Sequence, residues 1–247
     1  MIKTHFYGKD CIIERSLNDR SNLELNLKQH NFNYQNILLL NQVHGNQVVI
    51  IDDHSKIYGN QNLPKVDGIV TNISKIVIGI ITADCSPILF YDQGQKIIGA
   101  CHAGWRGAKS GIIQATIQAM TKLGAKNISA KIGPMIQAES YQISQDFYDD
   151  FIKQDPANQQ FFSYFDIDSK QLTNLDNYQP QDNNYSAKMH FDLCQYVQKI
   201  LEDCHVKNIE NTKIDTYTNQ ANYFSYRRAQ HQGISDCGRN VSVIAMQ

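Results

Sequence analysis

A run of apolar segments between residues 75 and 103 constrains the fold more than any other feature of the chain. The segment KIVIGIIT (75–82) is β-branched and almost continuously apolar, which favours a strand buried on both faces. It is followed by ADCSP, by ILFYD and, after the polar break QGQ, by KIIGACHAG, a pattern that predicts a β-hairpin. Because a tight hairpin interrupts the regular alternation of strand and helix, we predict mixed rather than purely parallel sheets.

Helical spacing of apolar residues occurs in three segments. One lies between Gly107 and Gly124, with Gly124 as its C-terminal stop, and the others lie near Gln145–Lys153 and Leu193–His205. Further strands are predicted in ILLLNQVHGNQVVII (37–51), in NISAKIGP and at the C-terminus. These elements predict an α+β fold. The polar, turn-rich stretch at 165–189 is interpreted as a surface loop or insertion.

The predicted hairpin gives a geometric expectation for two side chains. A two-residue turn at 93–94 places Asp92 opposite Gln95 and, further from the turn, Cys85 opposite His102. Directly opposed Cβ atoms lie ~4.5–5.5 Å apart, within reach of one shared metal ion. Since successive strand residues point to opposite faces, Cys101 is expected to be a buried core thiol.

Three candidate metal ligands stand at the ends of apolar runs: His44 in NQVHG, Cys85 in TADCSP and His102 in ACHAGW. Two imidazoles and a thiolate suit zinc, and three protein ligands leave a fourth position open for water or substrate. A core cysteine beside a hydrogen-bonded histidine explains the same residues almost as well, and the hairpin register gives no information about His44.

Arginines near these residues suggest an anion site. The segment AGWRGAKSG joins the strand of His102 to a predicted helix, and its glycines let the backbone approach a ligand near the start of that helix. Arg106 adds a fixed charge four residues after His102, and SYRR supplies Arg227 and Arg228. Spacing does not show which of these two neighbours faces the site.

Composition excludes several classes of function. A formal net charge of −1 gives no electrostatic footprint for nucleic acid or an anionic membrane. The N-terminus lacks the apolar core of a secretory signal, and no apolar run is long enough for a membrane span, so we expect a cytoplasmic protein. The six cysteines are dispersed and are expected to be free thiols there.

Six segments together resemble the laccase-domain family: NQVHG, VDGIVT, ITADCSPILFYD, GACHAGWRG, IGP followed by SYQI, and YFSYRR, in the family's order and spacing. Members of this family were first called multicopper polyphenol oxidases and are now described as zinc-dependent purine nucleoside phosphorylases with adenosine deaminase activity. The resemblance covers nearly all of residues 1–247. It implies a single-domain layered sandwich of mixed β-sheets with outer helices, and it implies that His44, Cys85 and His102 bind zinc.

The resemblance also implies the partners: purine nucleosides, namely adenosine, inosine and methylthioadenosine, and inorganic phosphate. On this basis we expect Arg106 and a C-terminal arginine, Arg227 or Arg228, to orient phosphate. Asp84 is a candidate proton shuttle, and Gln42 is a candidate for hydrogen bonding to the base, although a polar residue at a strand end explains Gln42 equally well. Monomer and homodimer both remain open.

The chain departs from the family pattern at two places. Where members usually carry a Gly-Pro-Cys-Cys-Tyr-Glu run, this chain reads QAESYQI, so that Glu139 and Ser140 replace a cysteine pair and Gln142 replaces an acid. Where members often carry Cys-Thr-Tyr-Cys, it reads DTYTN (215–219). Substrate preference is the property that we expect these changes to affect.

Two other functions use the same residues. A cysteine hydrolase would employ Cys85 as nucleophile and His102 as base, and would not require His44. A copper-dependent polyphenol oxidase would follow from the older family name, but a multicopper centre draws on many histidines, and only two of the eight in this chain lie in a convincing constellation.

Overall fold

The computed structural model describes residues 1–13, 19–59, 62–166, 171–174 and 188–247. Its strands are β1 (Ile2–Tyr7), β2 (Asn36–Leu38), β3 (Val48–Ile51), β4 (Gly68–Thr71), β5 (Ile76–Thr82), β6 (Ser86–Asp92), β7 (Ile97–Ala103), β8 (Ser129–Ile132), β9 (Phe162–Asp166), β10 (Gln171–Asn174), β11 (Lys188–Phe191), β12 (Ile209–Asn211) and β13 (Asn240–Met246). Its α-helices are α1 (Ser21–Gln29), α2 (Trp105–Lys109), α3 (Ile112–Lys122), α4 (Gln145–Gln154), α5 (Leu193–Asp203) and α6 (Tyr226–His231). Short 3-10 helices lie at His54–Lys56, Ala138–Ser140 and Pro156–Phe161.

Two mixed sheets form the centre of the molecule. A six-stranded sheet has the order β12-β8-β6-β7-β4-β3, and a four-stranded sheet has the order β1-β13-β5-β2. The pairs β3–β4, β2–β5 and β8–β12 are parallel, whereas the β6–β7 pair is the antiparallel hairpin that the sequence predicted. A third sheet has three strands in the order β10-β9-β11. The expectation of mixed sheets is confirmed.

The core is built in layers. Leu89 and Ile98 of the six-stranded sheet share one apolar cluster with Ile78 and Ile244 of the four-stranded sheet, so the two sheets pack face to face. The outer face of the six-stranded sheet is covered by α3 and α5, and that of the four-stranded sheet by α1. This is the predicted α+β sandwich with outer helices. Strand β5 is buried along its whole length, as its apolar sequence indicated.

The predicted register of the hairpin is wrong by two residues. The loop has four residues (93–96), Asp92 lies opposite Ile97, and Pro87, rather than Cys85, lies opposite His102. The Asp92 side chain accepts hydrogen bonds from the backbone of Gln95 and of residues 126 and 127, which fixes the wider loop. A shift of two residues keeps every side chain on its face. Cys101 is accordingly buried, as predicted. It lies in the apolar cluster between the six-stranded sheet and helices α3 and α5, here called the helix-side cluster.

One helical expectation is also corrected. The helix predicted from Gly107 to Gly124 is broken by Gly111, whose φ of +95° only glycine adopts easily, into the single turn α2 and the longer α3. Gly124 does end α3, with a φ of +102°.

The YRR segment begins helix α6, which the sequence analysis did not predict. Ser225 caps this helix by accepting from the backbone of Arg228.

The stretch at 165–189 contains strand β10 and the first residues of β11, while 167–170 and 175–187 lie outside the described residues. Its interpretation as a surface loop or insertion therefore stays a prediction. Within the part of the chain that the structure describes, no helix is both long and apolar enough to cross a bilayer. The cytoplasmic location and the oligomeric state also remain predictions.

Candidate metal centre and adjoining groove

The structure brings the three predicted ligands together. One ligand atom each of His44, Cys85 and His102 lies within 4.8 Å of the other two. The Cys85 Sγ atom is 4.0 Å from His44 Nε2, and the two imidazole rings meet edge to face at 4.6 Å. Ligands of a tetrahedral zinc ion lie about 3.5 Å apart, by the geometry of zinc–ligand bonds of about 2.0–2.3 Å. A small closure of the side chains would therefore suffice to hold the ion.

Asp67 holds His102 in the orientation that a metal ligand needs. The Nδ1 atom of His102 lies 2.8 Å from the Asp67 carboxylate, and both side chains are buried. The proton is assigned to Nδ1 by this contact, which leaves Nε2 free to bind a metal. Asp67 was not among the site residues predicted from the sequence. A charged residue directly before the buried strand GIVT was the available signal, since such a group needs a partner.

The same carboxylate shapes the loop that carries His44. It accepts hydrogen bonds from the backbone N–H groups of Val43, His44 and Gly45 at 3.2, 2.9 and 2.7 Å. These bonds hold His44 at a φ of +62°, a conformation that costs a non-glycine residue energy. One buried carboxylate thus orients two of the three candidate ligands.

Cys85 lies in a bend directly before β6, and Asp84 anchors that bend. The two Asp84 oxygens accept from Thr216 Oγ1 at 2.6 Å, from Ser225 Oγ at 3.0 Å and from the backbone of Arg227 at 2.6 Å. Because three donors already bind the Asp84 carboxylate, this side chain has a structural role. The role of proton shuttle for Asp84 stays a prediction that would require one of these bonds to open.

In the absence of a metal ion, Cys85 and His102 form a thiolate–imidazolium pair, and a bound metal ion would displace the second His102 proton from Nε2. Burial alone would raise the pKa of the Cys85 thiol, but His102 and then His44 outweigh burial and lower that pKa to about 6. Burial would likewise lower the pKa of His102, yet the Cys85 thiolate and Asp67 raise it to about 9. A thiolate is the form in which cysteine binds metal or attacks carbon.

We expect iodoacetamide to alkylate Cys85 of metal-stripped protein at a rate that is near its maximum at neutral pH and falls below about pH 6, because the thiolate is then protonated. Mass spectrometry of the peptides measures this rate, and Cys101, whose pKa burial raises, should stay unmodified in the folded protein. A rate that keeps rising up to about pH 8.5, as for an ordinary thiol, would contradict the assignment.

Gly104 gives the cluster the room that it needs. A Cβ atom at this position would lie 2.7 Å from Cys85 Sγ and 3.3 Å from His44 Cδ2. We expect Gly104→Ala to displace both ligands and to weaken zinc binding about tenfold or more, measured by competition with a chromophoric chelator. The control is Gly59→Ala, where a Cβ meets nothing within 4 Å. Equal zinc affinity in both variants would show that Gly104 has no such role.

Arg227 and Arg228 of the SYRR segment make different contacts. The guanidinium of Arg228 donates to the carbonyl groups of Thr216, Tyr217 and Tyr223, each at 2.6 Å, so it holds the chain together. Arg227 lies over the ring of Tyr141 at 5.2 Å. Of the two, Arg227 is the one that lines the groove described below.

Arg106 and Arg227 both act electrostatically on Tyr141. The guanidinium of Arg106 lies over the Trp105 ring at 4.3 Å. Burial and the Cys85 thiolate raise the pKa of Tyr141, whereas Arg227 and Arg106 act on the same phenol in the opposite direction. The Tyr141 phenol therefore interacts electrostatically with Cys85, Arg106 and Arg227, and it stays protonated at neutral pH.

An open groove of about 460 Å³ adjoins the cluster at Trp105 and Tyr141. Its lining consists of aromatic, neutral polar and apolar residues with a single arginine: Trp105, Tyr141, Gln142, Ile143, Ser144, Phe147, Arg227 and His231. The Trp105 and Phe147 rings meet edge to face at 4.8 Å. Trp105 therefore has a defined position as a wall of this groove.

Gln42 lies outside this lining. Its side-chain amide makes two hydrogen bonds to the backbone of Ile81, donating from Nε2 at 2.7 Å and accepting at Oε1 at 2.9 Å. This is the role of a polar residue beside a strand end. Base recognition by Gln42 remains a prediction that requires both bonds to be released.

The two segments that depart from the family pattern contact each other. Ser140 Oγ donates to the Asp215 carboxylate at 2.6 Å, and that carboxylate also accepts from the backbone of Gln137 and Tyr217. A hydrogen-bonded link therefore joins these two segments. Gln142 lies beside this link and lines the groove.

Fold and site together define a layered α+β protein with a His–Cys–His group capable of holding a metal ion beside a groove. The family model described as multi-copper polyphenol oxidoreductase laccase matches residues 15–247, and the chain belongs to this family.

Relatives with assigned names support this placement. The chain is 38% identical over 200 residues to a purine nucleoside phosphorylase of Rickettsia conorii, covering 81% of this chain and 74% of the relative. It is 36% identical over 216 residues to a purine nucleoside phosphorylase of Rickettsia prowazekii, covering 87% and 80%.

Solved structures share the fold. A Neisseria meningitidis protein of the DUF152 family superposes with a TM-score of 0.72 at 24% identity, covering 100% of this chain and 94% of that protein. The protein YlmD from Geobacillus stearothermophilus superposes with a TM-score of 0.71 at 22% identity, covering 98% and 84%.

Proposed function

We propose that the protein is a zinc-dependent purine nucleoside phosphorylase that cleaves adenosine, inosine and methylthioadenosine with inorganic phosphate, and that it also deaminates adenosine hydrolytically. The observation that carries the proposal is the group of His44, Cys85 and His102, whose ligand atoms lie close enough together to hold one metal ion. Arg106 and Arg227 lie over the rings of Trp105 and Tyr141, which line the groove. The names of the two Rickettsia relatives support the phosphorylase activity.

Zinc held by the three residues would supply a Lewis acid with one open coordination position. Asp67 fixes the tautomer of His102, so that Nε2 is available to the ion. The donor set of two imidazoles and one thiolate fits zinc, and the lowered pKa of Cys85 supplies the thiolate at neutral pH.

Phosphorolysis forms a bond from a phosphate oxygen to the anomeric carbon while the bond from that carbon to the purine nitrogen breaks. The electron pair leaves with the purine, which takes up a proton. Arg106 and Arg227 are held over neighbouring rings, and they would orient the phosphate dianion. The Tyr141 phenol, which keeps its proton at neutral pH, would donate a hydrogen bond to the departing purine.

The proposal is tested by incubating zinc-loaded protein with adenosine, with and without phosphate, and separating the products chromatographically. Phosphorolysis yields adenine only when phosphate is present, whereas deamination yields inosine in either case. With inosine as substrate, phosphate should release hypoxanthine. If adenosine and inosine both remain unchanged in both conditions, the proposed function is wrong.

A cysteine hydrolase is the second candidate, because the structure aligns Asp67, His102 and Cys85 in the order of a catalytic triad. His44 distinguishes the two candidates, since a triad does not need it. Purified protein with no stoichiometric zinc, together with rapid alkylation of Cys85 that added zinc does not slow, would favour the hydrolase.

Copper remains the alternative ion. Among the described residues, a single group of three or more histidine, cysteine or acidic side chains lies close enough to hold a metal, and it offers three ligands. A multinuclear copper centre would need more ligands than this group provides. Phenol oxidation that depends on copper and is lost on zinc loading would support copper.

A further inference from the structure

The lining of the groove beside the cluster is mainly aromatic and uncharged. Its walls are the flat rings of Trp105, Tyr141 and Phe147, and its polar side chains, Arg227 apart, carry no fixed charge. Building on the proposed function, we propose that this groove binds the purine ring and that Gln142 reads the edge of the base carrying the 6-substituent.

The lining selects a planar, uncharged ring over an anion. Its single arginine, Arg227, donates from Nη1 to the carbonyl oxygen of Gln142 at 2.7 Å, which leaves its other N–H groups for the phosphate. That phosphate would also need Arg106, which lies outside this lining, whereas aromatic walls with a few polar groups are typical of sites for flat organic ligands. The volume of about 460 Å³ accommodates a nucleoside.

The groove is placed so that a bound purine would reach the cluster. Trp105 directly follows Gly104, the residue that packs against Cys85 Sγ. Tyr141 lies 5.2 Å from the guanidinium of Arg227, whose backbone donates to Asp84, the residue directly before Cys85. A purine lying between these two side chains would direct its glycosidic bond or its 6-position toward the candidate metal ligands.

Gln142 combines a fixed backbone with an exposed side chain. Its carbonyl oxygen accepts from Arg227, and its backbone forms an antiparallel bridge with His190. Gln142 is exposed and lines the groove, whereas the side-chain amide of Gln42 is bound to the backbone of Ile81. Gln142 is therefore the glutamine that is positioned to meet a base.

An amide at this position matches adenine. The edge of adenine presents its 6-amino donor beside a ring-nitrogen acceptor, and a glutamine satisfies both with its oxygen and nitrogen. A carboxylate can only accept, so it loses the bond to the ring nitrogen. Guanine presents two adjacent donors, N1–H and the 2-amino group, which suit a carboxylate. Gln142 would therefore set the preference for the base.

The only tryptophan of the chain lies in the groove, which provides a direct measure of binding. We expect adenosine to quench the fluorescence of Trp105 by stacking, with no quenching by ribose. The variant Gln142→Ala should bind adenosine about tenfold more weakly, the loss of one bidentate contact. Gln142→Glu should shift the ratio of adenosine to guanosine affinity about tenfold toward guanosine.

A matched control is Gln145→Glu, which introduces the same charge three residues away and outside the lining, and which should leave the affinity ratio unchanged. Melting curves establish that each variant is folded. Quenching that is absent, or an affinity ratio that is the same in Gln142→Glu as in the wild type, overturns this inference even if phosphorolysis occurs. Conversely, quenching with the predicted shift but without any turnover supports the purine site and overturns only the proposed reaction.

Discussion

Protein carrying Cys85→Ala is expected to retain less than stoichiometric zinc after purification and to lose phosphorolysis of adenosine by about a thousandfold or more. Removal of the thiolate leaves two imidazoles, one of them exposed, and so deletes the charged ligand of the group. Elemental analysis measures zinc, and product chromatography measures the rate.

The control for this substitution is Cys204→Ala. Cys204 follows α5 and packs against the helix-side cluster, outside the candidate ligands. It should keep zinc and activity. If Cys85→Ala retained full zinc and an unchanged rate, both the ligand assignment and the hydrolase alternative would be refuted, since each requires this thiol.

The second large effect is expected from Asp67→Asn. All four groups that contact this carboxylate act as donors: His102 Nδ1 and three backbone N–H groups. An asparagine must turn its NH₂ group toward some of these donors, so it either releases the His44 loop or reverses the tautomer of His102. We expect a loss of zinc affinity of 10–100-fold, the usual consequence of removing a group that orients a metal-binding histidine.

Asp92→Asn separates this effect from loss of stability. Asp92 is also a buried carboxylate that accepts hydrogen bonds from backbone N–H groups. It lies at the C-terminal end of strand β6, whereas Cys85 directly precedes the N-terminal end. Both variants should melt at lower temperature, and only Asp67→Asn should bind zinc more weakly and show an altered absorption spectrum when loaded with cobalt. An equal loss of zinc affinity in the two variants would assign Asp67 a purely structural role.

The sequence allowed the fold to be predicted where periodicity is strong. The continuously apolar strand β5 and the regular spacing in α3, α4 and α5 have few alternative explanations, because their apolar residues must all be buried together. The hairpin register failed because the loop is held by bonds from Asp92 to residues 126 and 127, far along the chain. Ser225 was a readable signal for the start of α6, and it was overlooked.

Only the candidate metal ligands themselves could be predicted from the sequence, and the residues that orient them could not. Histidine and cysteine at strand ends point to metal chemistry by their type, whereas Asp67 acts through contacts with residues more than 20 positions away on either side. The choice between Arg227 and Arg228 depends on which carbonyl groups lie nearby, and these come from the turn at 216–223. Information of this kind exists only once the chain is folded.

The Asp84 bend couples two parts of the candidate site that lie far apart in the sequence. Asp84 precedes Cys85 in the chain, and its carboxylate accepts from the backbone N–H of Arg227 near the start of α6. A movement of α6 is therefore transmitted to the backbone of a candidate metal ligand, and a movement of that ligand is transmitted to α6. Under the proposed function, binding of a metal ion at Cys85 and binding of an anion at Arg227 would be linked through this one carboxylate.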